Sequence, residues 1–336
     1  MREGIIGHAR VLDLLEQEVA APAGAYLFVG ASGVGKSKVA RAFAAALVCP
    51  DAGAHDGECR VCRMVGAGTY PDVVLIAPEE RQSIGVDQAR ITIQKAMLRP
   101  VEAERKVFLL EEAGSMTEQA ANSLLKTLEE PTATTVFLLV TESEDDLPIT
   151  VASRCRTVHF GRVDETELSA ALVAAGMDPA QADALARTSG GRPGLALSLA
   201  SNEEVAGFRS MWLAIPSRVT DRPGECFVLA QEMLDRADEL IGDDAENAAQ
   251  KRRARQQLLV SGLEILATWY ADAASIQLGG PIRNRDLAAA DLTAISPRQA
   301  VRNAERILDA VTDLRANLRP QLLLTSLFAS LGSREG

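Results

Sequence analysis

The sequence predicts an α/β domain built on a parallel sheet and followed by all-helical domains, and three observations predict it. Five short β-rich runs are spread through the first half: AYLFV (25–29), VVLIA (73–77), KVFLL (106–110), TVFLLV (135–140) and TVHF (157–160). Several are apolar throughout, as strands covered on both faces of a parallel sheet must be. Helical patterns separate them, as crossover connections require. From about residue 161 the strand signal stops and helical spacing takes over.

The first run leads into GASGVGKS (30–37) and then into KSKVARAFAAALV, an apolar-periodic helix. The octet fits the phosphate-loop pattern at Gly30, Gly35, Lys36 and Ser37. Average composition predicts about 0.01 chance matches in a chain of this length. Glycines let the backbone of Gly30, Ala31, Ser32, Gly33, Val34 and Gly35 turn its N–H groups toward phosphates. Lys36 supplies a point charge, and the Ser37 hydroxyl is a magnesium ligand. ATP or ADP with magnesium is the expected ligand, the plain alternative being a glycine-rich turn. Ligand belongs at the carboxyl ends of the strands in such a sheet.

Between the second and third runs lies VDQARITIQKAML (86–98), a helical pattern. The third run ends in Glu111 and Glu112, where an acidic pair orients magnesium and the attacking water. Asp is usual at the first of these positions. The extra methylene of Glu111 shifts the carboxylate, and misplacement by about 1 Å costs about 100-fold in rate. The chain is therefore expected to hold nucleotide with weak or no hydrolysis of its own; a solvated acidic turn is the bland alternative. TEQAANSLLKTLEE (117–130) follows, with Ser115 or Thr117 available to cap its start and Pro131 just beyond its end. Thr141, ending the fourth run, is a candidate contact for the γ-phosphate or its water.

Beyond the fifth run, VDETELSAALVAAGM (163–177) opens with Asp164 as a cap, and GGRPG (190–194) punctuates a small helical unit that ends near residue 205. The rest reads as helix interrupted at IPSRVTDRPGE (215–225) and LGGPIRNRD (278–286). The expected division is 1–161, 162–205 and 206–336, with no internal repeat.

Composition narrows the function classes. With 336 residues and 47% hydrophobic content, the chain is a soluble globular protein of two or three domains. No apolar run approaches the roughly 20 residues of a membrane span, and MREGIIGHAR carries no secretion signal, so the cytoplasm is expected. Five cysteines, an odd number, argue against a disulfide framework and leave metal binding open. A net charge of −11 disfavours a protein that coats itself in nucleic acid, so contact with DNA would be local or made by partners.

Taken together, IIGHARVLDLLEQEV (5–19), the phosphate loop, NSLLKTLEEP (122–131), SRCR (153–156) and LRPQLLLTSLFASL (318–331) resemble the bacterial clamp-loader subunits of the AAA+ class. The resemblance covers nearly the whole chain. It implies an AAA+ P-loop NTPase domain, a small helical lid and an all-helical collar for oligomerisation. It further implies a five-membered ring of the DNA polymerase III holoenzyme that opens a sliding β-clamp and places it on primed DNA. Its partners would be the gamma/tau motor subunits and the delta subunit. Gamma/tau usually keeps an Asp-Glu pair, so the resemblance favours a stator over a motor ATPase. A free-standing P-loop kinase is the reading from a different class, but it has no use for SRC or the helical tail.

The resemblance also assigns roles to residues. Arg154 would be an arginine finger acting in trans on a neighbour's nucleotide, because a guanidinium is always charged and stabilises charge on a transferred phosphoryl group. Otherwise it is a surface arginine beside Arg156. Arg192 resembles the sensor-2 arginine of the lid, the alternative being an arginine near a helix cap. CPDAGAHDGECRVCRM, within an insert at 49–66, resembles the clamp-loader zinc module. Four cysteines close such a tetrahedral site; here Cys49, Cys59 and Cys62 remain, Asp56 takes the fourth position and His55 adjoins it. A module without its zinc is the alternative.

Overall fold

Each of the five β-rich runs folds as a strand in the computed structural model, which describes residue 2 and residues 4–50, 59–78, 83–200, 205–241, 248–284, 287–315 and 318–333. The strands are β1 (Ala25–Gly30), β2 (Val73–Ile76), β3 (Lys106–Leu110), β4 (Thr135–Thr141) and β5 (Arg156–Phe160). They form one parallel sheet in the order β2-β3-β4-β1-β5. β3 and β4 are buried at every position. Successive side chains serve opposite faces, as the two-residue strand period dictates. Tyr26, Phe28, Val107 and Leu109 enter one core with Phe43, while Leu27, Val29, Phe108 and Leu110 enter the other with Leu124. Burying such side chains contributes roughly 1.5–3 kcal/mol apiece, so continuous apolar runs are what a doubly covered strand needs.

The helices of this part are α1 (Ala9–Glu18), α2 (Lys36–Val48), α3 (Arg60–Gly66), α4 (Val86–Ala96), α5 (Glu118–Glu129), α6 (Ile149–Ala152), α7 (Glu165–Ala174), α8 (Pro179–Ser189) and α9 (Pro193–Ala200). Of the two candidate caps for α5, Thr117 is the one used: its hydroxyl accepts the Ala120 N–H at 3.2 Å. Ser115 instead donates to the Glu112 carbonyl at 2.7 Å. Asp164 caps α7, accepting N–H bonds from Thr166 at 2.9 Å and Glu167 at 3.3 Å. The approach to β3 is tied down by buried Asp72, whose carboxylate accepts the N–H groups of Val101, Glu102 and Ala103.

The chain divides into two compact units, residues 1–187 with 191–197 and residues 188–190 with 198–336. The second contains α10 (Val205–Leu213), α11 (Ile215–Arg218), α12 (Pro223–Ile241), α13 (Ala248–Gln277), α14 (Ala289–Leu292), α15 (Pro297–Arg315) and α16 (Pro320–Gly332). α13 packs along α15, and α12 along α16. Trp212 of α10 is fully buried against α13, where a Cβ at Gly262 would lie 1.9 Å from its ring. The stretch 215–225 is less of a break than its prolines suggested. Pro216 sits in the first turn of α11 and Pro223 begins α12, positions where the missing N–H would have no intrahelical acceptor anyway. No helix among the described residues is long and apolar enough to cross a membrane.

Candidate nucleotide site and cysteine cluster

The phosphate loop leaves the carboxyl end of β1 and enters α2 directly. Gly33 and Gly35 take φ of 78° and 108°, a backbone conformation that side chains disfavour. α2 begins without an acidic residue in its first turn, so its N–H groups and positive dipole end remain suited to an anion. Lys36 is only 7% exposed, and its ammonium donates to the carbonyls of Gly30 at 2.6 Å and Ala31 at 2.8 Å. Ser37 follows it, half-buried in the first turn.

One support of this loop was not singled out in the sequence. His8 lies 2.8 Å through Nε2 from the Val34 carbonyl and packs edge-on against Phe160 of β5. It lies within IIGHAR, but no spacing there identifies a residue that reaches a loop 26 positions away.

Arg192 arrives on the same loop. The Gly194 N–H donates to the Gly33 carbonyl at 2.8 Å, and the Gly191 carbonyl accepts the Val163 N–H at 2.8 Å. Arg192, between them, is 4% exposed. Its Cβ would lie 3.6 Å from a Cβ built on Gly33. The structure thus brings Gly30 through Ser37 and Arg192 together.

The acidic end of β3 is arranged differently. Glu111 is clasped by Arg41 of α2, with Nε to Oε1 at 2.5 Å and Nη2 to Oε2 at 2.8 Å. The paired carboxylate raises the guanidinium pKa further still. Both carboxylate oxygens accept from Arg41, and the pairing offsets the charge Glu111 would offer a magnesium ion. Ser37 remains as a hydroxyl donor at the loop. Glu112 is half-buried, and its carbonyl accepts from the hydroxyl and N–H of Ser115 in the turn Ala113–Ser115. Thr141 does end β4, the neighbour of β1, but its buried hydroxyl donates to Asp146 Oδ2 at 2.7 Å. Arg41 also escaped the sequence reading. The available signal was its place four residues after Ser37, on the same face of α2.

Arg154 lies elsewhere, between α6 and β5. Nε and Nη2 donate to Oε2 of Glu129 at 3.2 and 3.1 Å, and Nη1 to the Thr150 carbonyl at 2.9 Å. Its side chain is 30% exposed. Arg156 turns instead to Glu18 of α1, at 2.6 Å. Burial pushes the Cys155 thiol up to about 12.

The three cysteines of the insert meet. Cys49 follows α2, Cys59 caps α3 and Cys62 lies on α3. Sγ of Cys59 is 3.7 Å from that of Cys49 and 3.3 Å from that of Cys62. All three sulfurs lie within 4.8 Å of one another. Zn–S bonds of about 2.3 Å at a tetrahedral centre place sulfurs about 3.8 Å apart, so this set fits zinc. The N–H of Cys62, donated to the Cys59 sulfur, lowers the pKa of Cys59, whereas burial raises that of Cys62. Asp56 and His55, the expected fourth ligands, fall outside the described residues.

A family model described as "DNA polymerase III, delta subunit" matches residues 7–164, the span holding the sheet, the phosphate loop and the cysteine cluster. DNA polymerase III subunit delta' of Bacillus subtilis is 29% identical over 319 residues, covering 91% of this chain and 90% of its own. The delta' subunit of Pseudomonas aeruginosa is 44% identical over 138 residues, 39% of this chain and 41% of its own. DNA polymerase III subunit tau/gamma of Haemophilus influenzae is 37% identical over 147 residues, 43% of this chain but 21% of its own. Likeness to a delta' protein therefore extends over most of the chain, while likeness to this tau/gamma protein stops at less than half.

Proposed function

We propose that this chain, which belongs with the clamp-loader delta-prime subunits of bacterial DNA polymerase III, is the stator of the ring that loads the sliding β-clamp onto primed DNA. Residues 1–161 form its AAA+ domain, 162–205 its lid and 206–336 the collar that joins delta and gamma/tau. The observation that carries the reading is an intact phosphate loop beside an acidic strand end already occupied by Arg41. Such a site is built to hold ATP or ADP and ill suited to cleave it. Lys36, the loop N–H groups and Arg192 hold the nucleotide, with Ser37 as the chain's donor to any accompanying magnesium. Arg154 reaches instead toward a nucleotide bound by a neighbouring motor subunit.

The test is reconstitution. Rings assembled from delta, gamma/tau and this chain should load a labelled clamp onto primed DNA, and rings lacking the chain should not. Loading that is equally fast without it refutes the stator role. The motor reading is supported by the tau/gamma likeness alone, and it requires turnover by the isolated chain near the roughly 1 per second of ordinary enzymes.

Zinc, held by Cys49, Cys59, Cys62 and either Asp56 or His55, would close the insert and contribute to its folding. Protein purified without chelator should contain about one zinc per chain, as a closed structural site requires. Elemental analysis giving far less removes the metal from this reading.

A further inference from the structure

Ser37 and Arg41 stand four residues apart on α2 and so share one helix face. Ser37 opens the helix at the phosphate loop. Arg41, one turn deeper, reaches the carboxyl end of β3 and engages Glu111 with two N–H donors, at 2.5 and 2.8 Å. Fork-to-carboxylate pairing fills both oxygens in one plane, and it neutralises a charge that would otherwise attract a cation. The carboxylate is the more sheltered partner, its side chain 19% exposed against 43% for Arg41. A hard divalent cation would need oxygen ligands at this place, and the guanidinium already engages both oxygens and offsets their charge.

The unusual glutamate now has a physical reason. The methylene that distinguishes Glu111 from aspartate extends the carboxylate by about one carbon–carbon bond, roughly 1.5 Å. That added reach brings it onto the guanidinium of the neighbouring helix.

We propose that Arg41 is the specificity-determining residue that makes nucleotide binding by this chain independent of divalent cations, by pairing through both of its N–H donors with the carboxylate a magnesium ion would use. The proposal rests on the nucleotide-binding reading of the phosphate loop and adds to it a residue and a ligand class: ATP or ADP taken up free of metal as readily as with it. The guanidinium contributes the local positive charge, and no cation has to enter with the ligand.

Calorimetric titration of the full chain with ATP tests this, in magnesium and in excess chelator. Wild type should show affinities within about twofold of each other in the two conditions. Arg41→Ala, which frees both oxygens of Glu111, should bind about tenfold more tightly with magnesium than with chelator, because an ionic hydrogen-bonding partner of this kind is worth roughly a tenfold change. Arg41→Ala combined with Glu111→Gln should lose that preference again. If Arg41→Ala fails to fold, judged by its thermal melt, Arg41→Gln replaces it with a neutral side chain of similar reach. Wild-type binding that already collapses in chelator overturns the proposal, as does an arginine variant as indifferent to magnesium as wild type. Wild type that binds ATP in neither condition overturns the nucleotide reading as well, and the two failures are thereby told apart.

Discussion

The phosphate loop and the edge after α6 each present an arginine, and the two are held in opposite ways. Arg192 is 4% exposed, on a turn hydrogen-bonded to the loop itself. Arg154 is 30% exposed, beside Ile149 at 83%, and Glu129 holds it through one carboxylate oxygen. A buried guanidinium can serve only a ligand sharing its pocket. A half-exposed one, whose ion pair is worth about 0.2–1 kcal/mol, can exchange that partner for another at little cost. The contrast teaches that residue type alone does not assign a role: one arginine is buried against the phosphate loop and the other is half-exposed and loosely paired at an edge.

The largest effect should come from removing the available arginine. Arginine fingers supplied in trans are typically worth ~10³ to 10⁵ in rate. Arg154→Ala should therefore abolish turnover at the one ring site it completes, and leave this chain's melting temperature and ATP affinity unchanged. Steady-state hydrolysis by reconstituted rings measures it. Rings that turn over ATP like wild type would break the comparison, since Arg154 would then be only a surface residue.

A smaller and complementary effect belongs to the loop. Lys36→Ala removes a charged donor worth about 1.5–3 kcal/mol, so ATP affinity of the isolated chain should fall roughly 10- to 100-fold. Ring assembly and the site completed by Arg154 should be spared. Equal loss of both functions would show that the two regions are coupled and not separately built.

The smallest effect sharpens the contrast. Glu129→Gln removes the charge that parks Arg154, an exposed pair whose loss is worth at most about 1 kcal/mol. Ring turnover should change no more than about fivefold. A loss as large as that of Arg154→Ala would mean that Glu129 itself belongs to the catalytic assembly.

Much of the fold was legible because its signals are local. The strand runs were readable because parallel strands buried on two faces must be largely apolar, as β3 is over 107–110 and β4 over 136–140. α2 covers the same residues, 36–48, as the pattern KSKVARAFAAALV, and Thr117 and Asp164 act through hydrogen bonds to N–H groups two or three residues away. The candidate site was legible only in part. Gly30 to Ser37 are contiguous, and their chemistry lies in their order. Thr141 was placed correctly at its strand end, but its hydroxyl turned to Asp146, a partner its own spacing did not reveal.

The sequence by itself determined the alternation of strands and helices, the phosphate loop, the acidic end of β3 and the three cysteines, because each is a property of neighbours along the chain or of residue type. Only the tertiary structure decided which of these groups meet and which are already engaged. Glu111 and Arg41 are 70 residues apart, and His8 and Val34 are 26 apart. Their pairing follows from sheet order and helix placement, which bring distant carboxylates, guanidinium groups and carbonyls within hydrogen-bonding reach where burial makes satisfied polar groups necessary.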